Sequence, residues 1–231
     1  MAQRVRDTDP AARVERDARR HVAAGLGGRG AWVDLRAEDG PAAGDPPPEG
    51  ATPLTSAFAG DDELAAVREA AGQGGLVTVF DTVEHVPSFA ALVQLLVELA
   101  ETQDATVVVG VPNDAVGDGG APEGRRTTWD EGAFAELRSM LPADHAVWHQ
   151  LALRGTAVVP DGHEGLHEGA VALTDDGVPV AFLAVFGPLA GELAPAVGVV
   201  QADVAAERAA RRAADAELAV LRARLAGLEA S

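Results

Sequence analysis

The segment LVTVFDTVEHVPSFAALVQLLVELAETQDATVVVGVPN, residues 76–113, decides the fold. An apolar, β-branched run over 76–80 is followed by a polar loop, and Pro87 then opens an amphipathic helix. A second apolar run, over 106–111, comes directly after that helix. Strand, loop, helix and strand form a βαβ unit, and such units build parallel sheets. The sequence therefore predicts an α/β protein with a Rossmann-like, mainly parallel sheet.

Polar side chains lie where each of these two strands ends. Asp81, Glu84 and His85 follow the first strand, and Asn113 follows the second. Ligands of open α/β sheets bind at the carboxyl ends of the strands. A carboxylate beside an imidazole can act as an acid/base pair, because histidine titrates near neutrality. We therefore expect these four residues to lie at a functional edge of the sheet.

The motifs at this edge resemble class I S-adenosylmethionine-dependent methyltransferases. The loop 81–85 matches the D-x-x-E-H pattern that often follows the fourth strand of that family, and Val111-Pro112-Asn113 matches the end of the fifth. The resemblance covers about residues 76–190. It implies S-adenosylmethionine as the cofactor, with Asp81 at the cofactor, and a small-molecule or sugar acceptor. Glu84 and His85 are the candidate catalytic residues, and in members of that family this histidine frequently helps to shape the site instead of abstracting a proton. Domains of this kind with helical extensions occur in bacterial surface-polysaccharide pathways, which is a fold-level analogy.

The glycine-rich turn of that family is altered in this chain. Residues 31–40 align with the V-L-D-L-G-x-G-x-G pattern, which makes Asp34 and Gly40 candidate cofactor-binding residues. Arg36 and Glu38 stand at the first two glycine positions. Side chains there crowd a ligand that the backbone must approach closely, and the Glu38 carboxylate repels the carboxylate of the cofactor.

Two functions follow from these observations. The 81–85 loop favours a methyltransferase-like enzyme. The altered turn favours a non-catalytic relative that serves as a scaffold or regulator and recruits a partner or a second copy. A full domain of the resembled family places two strands and two helices between Gly40 and Leu76. This stretch contains no convincing pair of a strand and an acidic residue, so we expect an abridged sheet on that side.

Each candidate residue also has a structural interpretation. Asp81 could cap the following helix. The Asn113 amide could hydrogen-bond a substrate, or it could close an Asx-turn. Arg125 and Arg126, the only basic pair in the middle of the chain, could hold an anionic substrate or pair with neighbouring acids. Adjacent residues in a turn often point apart, so the side chains of Glu84 and His85 could also lie too far from each other to act as a pair.

Charge and composition exclude several functions. The chain has 231 residues and a formal net charge of −18, and all 18 basic residues are arginine. Such an acidic protein does not attract nucleic-acid phosphates or anionic lipid head groups. There is no cysteine, and the spacing of His163 and His167 in a glycine-rich stretch favours a loop over a metal site.

We expect a cytoplasmic protein with no membrane span. The charged start of the chain has no apolar signal-peptide core. The weakly charged stretch 178–200 is interrupted by prolines and glycines.

The predicted organisation has three parts. They are a charged N-terminal helix or tail over 1–29, the α/β domain over 30–190 with a flexible loop at 40–53, and a C-terminal helix over 198–231. Further elements of the domain are helices at 61–72 and 129–141, a strand at 146–153, and a hairpin of 169–174 with 178–186.

The C-terminal segment has a coiled-coil pattern. Leu218, Leu221, Leu225 and Leu228 keep a 4,3 spacing within the longer series 200–228. Such a helix could form a homodimer through 200–228, or it could pack on its own domain.

Overall fold

The computed structural model describes residues 10–26, 30–116, 125–152, 156–160, 179–192 and 196–198. Its elements alternate between strands and helices, as expected for an α/β protein. In chain order they are α1 Pro10–Ala24, β1 Trp32–Ala37, β2 Ala51–Ser56, α2 Asp61–Ala71, β3 Leu76–Phe80, α3 Phe89–Gln103, β4 Thr106–Pro112, α4 Glu131–Ser139, β5 Ala146–Ala152, β6 Thr156–Pro160, β7 Pro179–Phe186 and β8 Ala196–Gly198, with a short 3₁₀ turn at Ala190–Glu192.

All the described strands belong to one mixed sheet in the order β2-β1-β3-β4-β7-β5-β6-β8. The four strands from β2 to β4 run parallel to one another. The remaining pairings, from β4–β7 onwards, are antiparallel. The predicted α/β class is confirmed, with parallel pairing confined to one half of the sheet.

The two faces of the sheet have separate cores because side chains alternate along each strand. In β3, Val77 and Val79 pack into the core that includes α2, α3 and α4. Leu76 and Phe80 face the other way, into the core that includes α1. The helices therefore cover both sides of the sheet and leave its carboxyl edge as the natural place for a ligand.

Helix α3 follows its apolar periodicity. The i, i+3, i+4, i+7 positions that the sequence places on one face are all buried, namely Leu92, Leu95, Leu96 and Leu99. The helix ends at Asp104, which adopts the left-handed conformation with φ 52° and donates its N–H to the Leu99 carbonyl. The predicted βαβ unit is confirmed in full.

Helices α2 and α4 are also confirmed. In α4, the Asp130 carboxylate accepts a hydrogen bond from the Ala133 N–H at 2.8 Å, which is the predicted N-cap. Phe134 and Leu137 then bury one face of that helix.

The segment between β1 and β3 contains one strand and one helix, fewer than the two of each that the resemblance implies. Strand β2 begins at Ala51, inside the segment 40–53 that the sequence predicts as a loop. The apolar pattern of β2 is weak because it is an edge strand, in which Thr52, Pro53 and Thr55 are exposed. Proline is tolerated at such an edge.

The predicted hairpin of 169–174 with 178–186 is wrong. Both edges of β7 are already paired, one with β4 and the other with β5. The antiparallel hairpin of this half is formed by β5 and β6 instead. The strand predicted at 169–174 itself lies outside the described residues.

The N-terminal helix belongs to the domain, although the sequence predicts it as a separate segment. Val22, Ala23 and Leu26 at its end are buried in the core beneath the sheet. The coiled-coil segment 200–228 lies outside the described residues. Within the part of the chain that the structure describes, no helix is long and apolar enough to cross a membrane.

The βαβ unit can be tested at the centre of α3. Leu96 is fully buried, so Leu96→Ala should lower the free energy of unfolding by about 2–5 kcal/mol, the typical cost of such a cavity. Urea denaturation measures it. Gln94→Ala, at an exposed position of the same helix, should change stability by less than about 0.5 kcal/mol. Equal losses in the two variants would contradict the assignment of the buried face.

Candidate functional site

Asp81 directly follows β3 and has a strained backbone conformation. Its φ is +49°, in the left-handed region that residues other than glycine seldom adopt. The Asp81 N–H donates to the Gly110 carbonyl at 3.3 Å, which holds the chain in this turn. Its carboxylate Oδ2 accepts a hydrogen bond from Arg19 Nη2 at 2.6 Å. Asp81 therefore faces α1, an element that the sequence did not connect with this edge.

Glu84 is the most unusual residue of this edge. Its side chain is fully buried, and neither carboxylate oxygen has a hydrogen bond from another described residue. Burial raises the pKa of Glu84 from 4.5 to about 8, and the charge of Asp81 adds to this effect. Arg125 and Arg19 act in the opposite direction on that pKa. Glu84 is thus neutral at pH 7 and carries a proton that it can release at mildly alkaline pH.

The loop 81–85 is fixed by its backbone. His85 is buried, and its N–H donates to the Thr82 carbonyl at 3.0 Å. The Glu84 carbonyl accepts from the N–H of Arg126 at 2.6 Å and from that of Thr127 at 3.3 Å. The loop is therefore attached to the segment that precedes α4.

Asp34 and Arg36 form a buried ion pair on β1. Arg36 Nη2 and Nε donate to Asp34 Oδ2 at 2.7 and 2.9 Å. Thr78 Oγ1 donates to the other Asp34 oxygen, Oδ1, at 2.9 Å. Asp34, predicted to bind the cofactor, is thus engaged within the protein.

The remaining donors of Arg36 hold the turn after β1. They reach the carbonyls of Ala42 at 3.3 Å, Asp45 at 2.5 Å and Pro46 at 3.3 Å. With the two bonds to Asp34, all five N–H donors of the guanidinium are used. The place where the family has a glycine is filled by a side chain with complete hydrogen bonding.

Gly40 lies beside the end of β3. A Cβ at this position would come within 3.1 Å of the Ala37 carbonyl oxygen and 3.4 Å of the Asp81 carbonyl oxygen. The absence of a side chain at Gly40 therefore allows the turn to pack closely against β1 and β3.

Asn113 closes an Asx-turn. Its side-chain Nδ2 donates to the Pro179 carbonyl at 2.8 Å, and its Oδ1 accepts from the Ala115 N–H at 3.1 Å. The amide that was predicted to bind a substrate thus joins β4 to β7.

The two arginines of the predicted substrate site differ. Arg125 forms an ion pair with Asp114 and is mostly buried. Arg126 is exposed, and its backbone N–H donates to the Glu84 carbonyl in the loop 81–85. The pairing with an acid, one of the two alternatives for Arg125, is the one that the structure contains.

The charged residues of this edge that the sequence did not reveal lie on α1. Arg16, Arg19 and Arg20 are each 3–5% exposed, although arginine is rarely buried unless it is paired. Arg16 Nε donates to Asp45 at 3.0 Å, and Arg20 lies 3.4 Å from the same carboxylate. The sequence signal that could have identified them is their i, i+3, i+4 spacing, which places them on the same face of the helix as buried Ala23.

A groove of about 470 Å³ opens beside this network, between α1 and the segment 46–49. Arg20, His21 and Trp32 line it, and neither Asp81 nor Glu84 does. Among the residues that the structure describes, no three histidine, aspartate or glutamate side chains form a possible metal site. His163 and His167 lie outside the described residues.

No protein-family model, no curated protein and no solved structure matches this chain. The resemblance to methyltransferases therefore rests on the motifs of the sequence. Because one fold serves many functions, the function must be argued from the chemistry of the site.

The buried carboxyl of Glu84 gives a prediction about pH. Between pH 4.5 and about 8 the folded protein keeps a proton that the unfolded chain has lost. The contribution of Glu84 to stability is therefore greatest below pH 4.5 and falls as the pH rises to about 8, by about 1.4 kcal/mol per pH unit at most. Glu84→Gln has no such dependence, so it should gain stability relative to the unmodified protein across this range.

Denaturant titrations from pH 5 to 8 measure this difference. Glu98→Gln is a suitable control, because Arg68 lowers the pKa of that exposed carboxyl. Because this control retains Glu84, its stability should fall with pH in parallel with that of the unmodified protein. Parallel curves for Glu84→Gln and the unmodified protein would refute a protonated Glu84.

Proposed function

We propose that this chain is a non-catalytic relative of the S-adenosylmethionine-dependent methyltransferases, which acts as a scaffold or regulator and self-associates through residues 200–228. Two features support the relationship. The D-x-x-E-H loop follows β3 at the carboxyl edge of a parallel half-sheet, and antiparallel strands follow β4. In this proposal the chain keeps strands and helices of the family's fold and no longer binds the cofactor.

The observation that carries this proposal is the position of Arg36. A methyltransferase needs a turn without side chains here, so that backbone N–H groups can approach the cofactor. Arg36 is 2% exposed and ties β1 to the carbonyls of Ala42, Asp45 and Pro46. Displacing it would remove both short hydrogen bonds to Asp34 Oδ2 and leave that buried carboxylate with only the Thr78 hydroxyl and Arg20 at 3.8 Å. Breaking a buried pair costs up to about 3–5 kcal/mol.

Self-association is proposed from the sequence of the C-terminal segment. Its leucine seam must be covered to leave water, and each buried leucine contributes roughly 1.5–3 kcal/mol. Both faces of the described sheet are already covered by helices. A second copy of the same segment is therefore the natural partner.

A second candidate function is an active enzyme acting on a small molecule or a sugar, as in surface-polysaccharide metabolism. Glu84 favours it, because a buried carboxyl with a pKa of about 8 suits general acid/base catalysis. In such an enzyme Glu84 would exchange a proton with the acceptor, and the strained Asp81 would orient it.

Titration calorimetry with S-adenosylmethionine separates the two candidates. We expect no binding at micromolar concentrations, since the side chain of Arg36 occupies the turn. The variant Arg36→Gly/Glu38→Gly, which restores the two glycines, serves as the comparison. A dissociation constant in the low micromolar range for the unmodified chain would overturn the proposal and restore the enzyme.

The oligomeric state tests the role assigned to the C-terminal segment. We expect the full chain to be dimeric and a chain that ends at Val200 to be monomeric. The domain should remain folded in the shortened chain, so its contribution to the circular dichroism spectrum should be unchanged. Multi-angle light scattering measures both masses. The shortened chain keeps β8, which pairs with β6.

Two substitutions provide a matched pair within that segment. Leu221→Asp places a charge in the seam and should abolish the dimer, whereas Ala223→Asp lies outside the seam and should leave it intact. A full-length chain that is monomeric at high concentration would contradict self-association.

A further inference from the structure

The peptide bond between Asp45 and Pro46 lies in the segment that joins β1 to β2, beside the guanidinium of Arg36. Arg36 Nη1 donates to the Asp45 carbonyl oxygen at 2.5 Å, and Nη2 donates to the Pro46 carbonyl oxygen at 3.3 Å. The Asp45 N–H in turn donates to the Ala42 carbonyl at 3.1 Å. A buried cation therefore holds this peptide bond in place and polarises its carbonyl group.

The side chain of Asp45 carries a nucleophile close to that carbonyl group. In any aspartate, a carboxylate oxygen can close a five-membered ring with the residue's own carbonyl carbon, and a carboxylate is a recognised nucleophile. Arg16 Nε donates to Asp45 Oδ2 at 3.0 Å, and Arg20 Nη1 lies 3.4 Å from the same oxygen. Both contacts are made to Oδ2, so the attack falls to Oδ1.

Proline makes the nitrogen of this bond a better leaving group than that of other residues. The proline nitrogen belongs to a tertiary amide without an N–H, and such a nitrogen accepts a proton more readily than that of a secondary amide. Pro46 is exposed and lines the groove of about 470 Å³ together with His21. Water and protons from the solvent therefore reach this part of the chain.

We propose that the folded chain cleaves itself between Asp45 and Pro46, with the Asp45 carboxylate as the nucleophile and Arg36 as the group that stabilises the oxyanion. Oδ1 attacks the backbone carbonyl carbon of Asp45 and closes a cyclic anhydride. The C–N bond breaks, its electron pair passes to the Pro46 nitrogen, and that nitrogen takes a proton from the solvent. One water molecule then opens the anhydride, which restores the side-chain carboxylate and leaves a C-terminal carboxylate on Asp45.

Arg36 makes this reaction a property of the fold. The negative charge of the tetrahedral intermediate develops on the carbonyl oxygen that Arg36 Nη1 already contacts, and a donor placed in advance at such an oxygen is worth about 10²–10³ in rate in known enzymes. Cleavage would place α1 and β1 in the first fragment, where β1 still pairs with β2 and β3. The reaction occurs once per chain and requires neither S-adenosylmethionine nor a dimer, so its failure is distinct from failure of the proposed function.

The chain contains a second Asp–Pro bond, between Asp9 and Pro10, which serves as an internal comparison. Full-length protein is incubated in the most acidic buffer that leaves its circular dichroism spectrum native, and intact-mass spectrometry follows the appearance of fragments 1–45 and 46–231. We expect cleavage after Asp45 to be at least about ten times faster than cleavage after Asp9, because folding places Arg36 at the Asp45 carbonyl. In guanidinium chloride the two rates should agree within a few-fold.

Two variants separate the chemistry from the stability of the turn. Asp45→Glu keeps a carboxylate for Arg16 but requires a six-membered anhydride, which forms more slowly. Arg36→Lys keeps a positive charge beside Asp34 and removes the planar fork of donors. Each variant should slow cleavage at residue 45 by about tenfold or more and should leave the rate of cleavage after Asp9 unchanged.

Three results would overturn the proposal. They are equal rates at the two Asp–Pro bonds of the folded chain, no detectable cleavage after Asp45, and a first-order rate constant that rises with protein concentration. The last result indicates cleavage by another molecule instead of by the chain itself. If Arg36→Lys does not fold, the comparison between the folded and unfolded states of the unmodified chain decides the question.

Discussion

The structure depends on the pairing of four buried arginines with three aspartates beneath one face of the sheet. Removing a guanidinium from water costs several kcal/mol unless a carboxylate compensates for it. Arg36 pairs with Asp34 within β1, whereas Arg16 and Arg19 reach Asp45 and Asp81 from α1. Because a shift of α1 would break several pairs at once, these contacts fix its position on the sheet.

The same pairs decide what the carboxyl edge can do. In β1, Val33 and Leu35 enter the large apolar core, while Asp34 and Arg36 face the polar network on the opposite side. An edge that would hold a ligand in an α/β enzyme holds the turn and the N-terminal helix instead. The side chains at this edge therefore serve to hold the turn and the helix in place.

Local patterns in the sequence predicted the elements well and their partners less well. The βαβ unit and its buried leucines followed from periodicity, because β3, β4 and α3 are long, apolar and bounded by clear turns. The predicted hairpin at β7 was wrong because periodicity does not reveal which strands pair with the two edges of β7. The sequence indicated strand β2 only weakly, because an exposed edge strand that contains Pro53 has few apolar residues.

The site could be predicted only in part for a related reason. The altered turn was visible in the sequence, since Arg36 stands where the resembled family has a glycine. Three of the five hydrogen bonds of Arg36, however, depend on carbonyls that folding brings close. The arginines of α1 were hidden because a basic helical face normally indicates a solvated surface. Asp81 and Glu84 were found from their place after a strand, and their connection with Arg19 was not.

The two halves of the carboxyl edge differ in how completely their buried polar groups are hydrogen-bonded. Around Arg36 every donor of the guanidinium has an acceptor, as expected of a contact that serves stability. Around Glu84 a protonated carboxyl is buried with neither oxygen receiving a hydrogen bond from another described residue, next to Asp81 in a strained backbone conformation. Strain and unsatisfied buried groups persist where the surrounding structure imposes them, and they concentrate at functional sites. If this domain has kept a ligand, the chemistry of the edge therefore places it at β3 and β4, away from the turn that the family resemblance indicates.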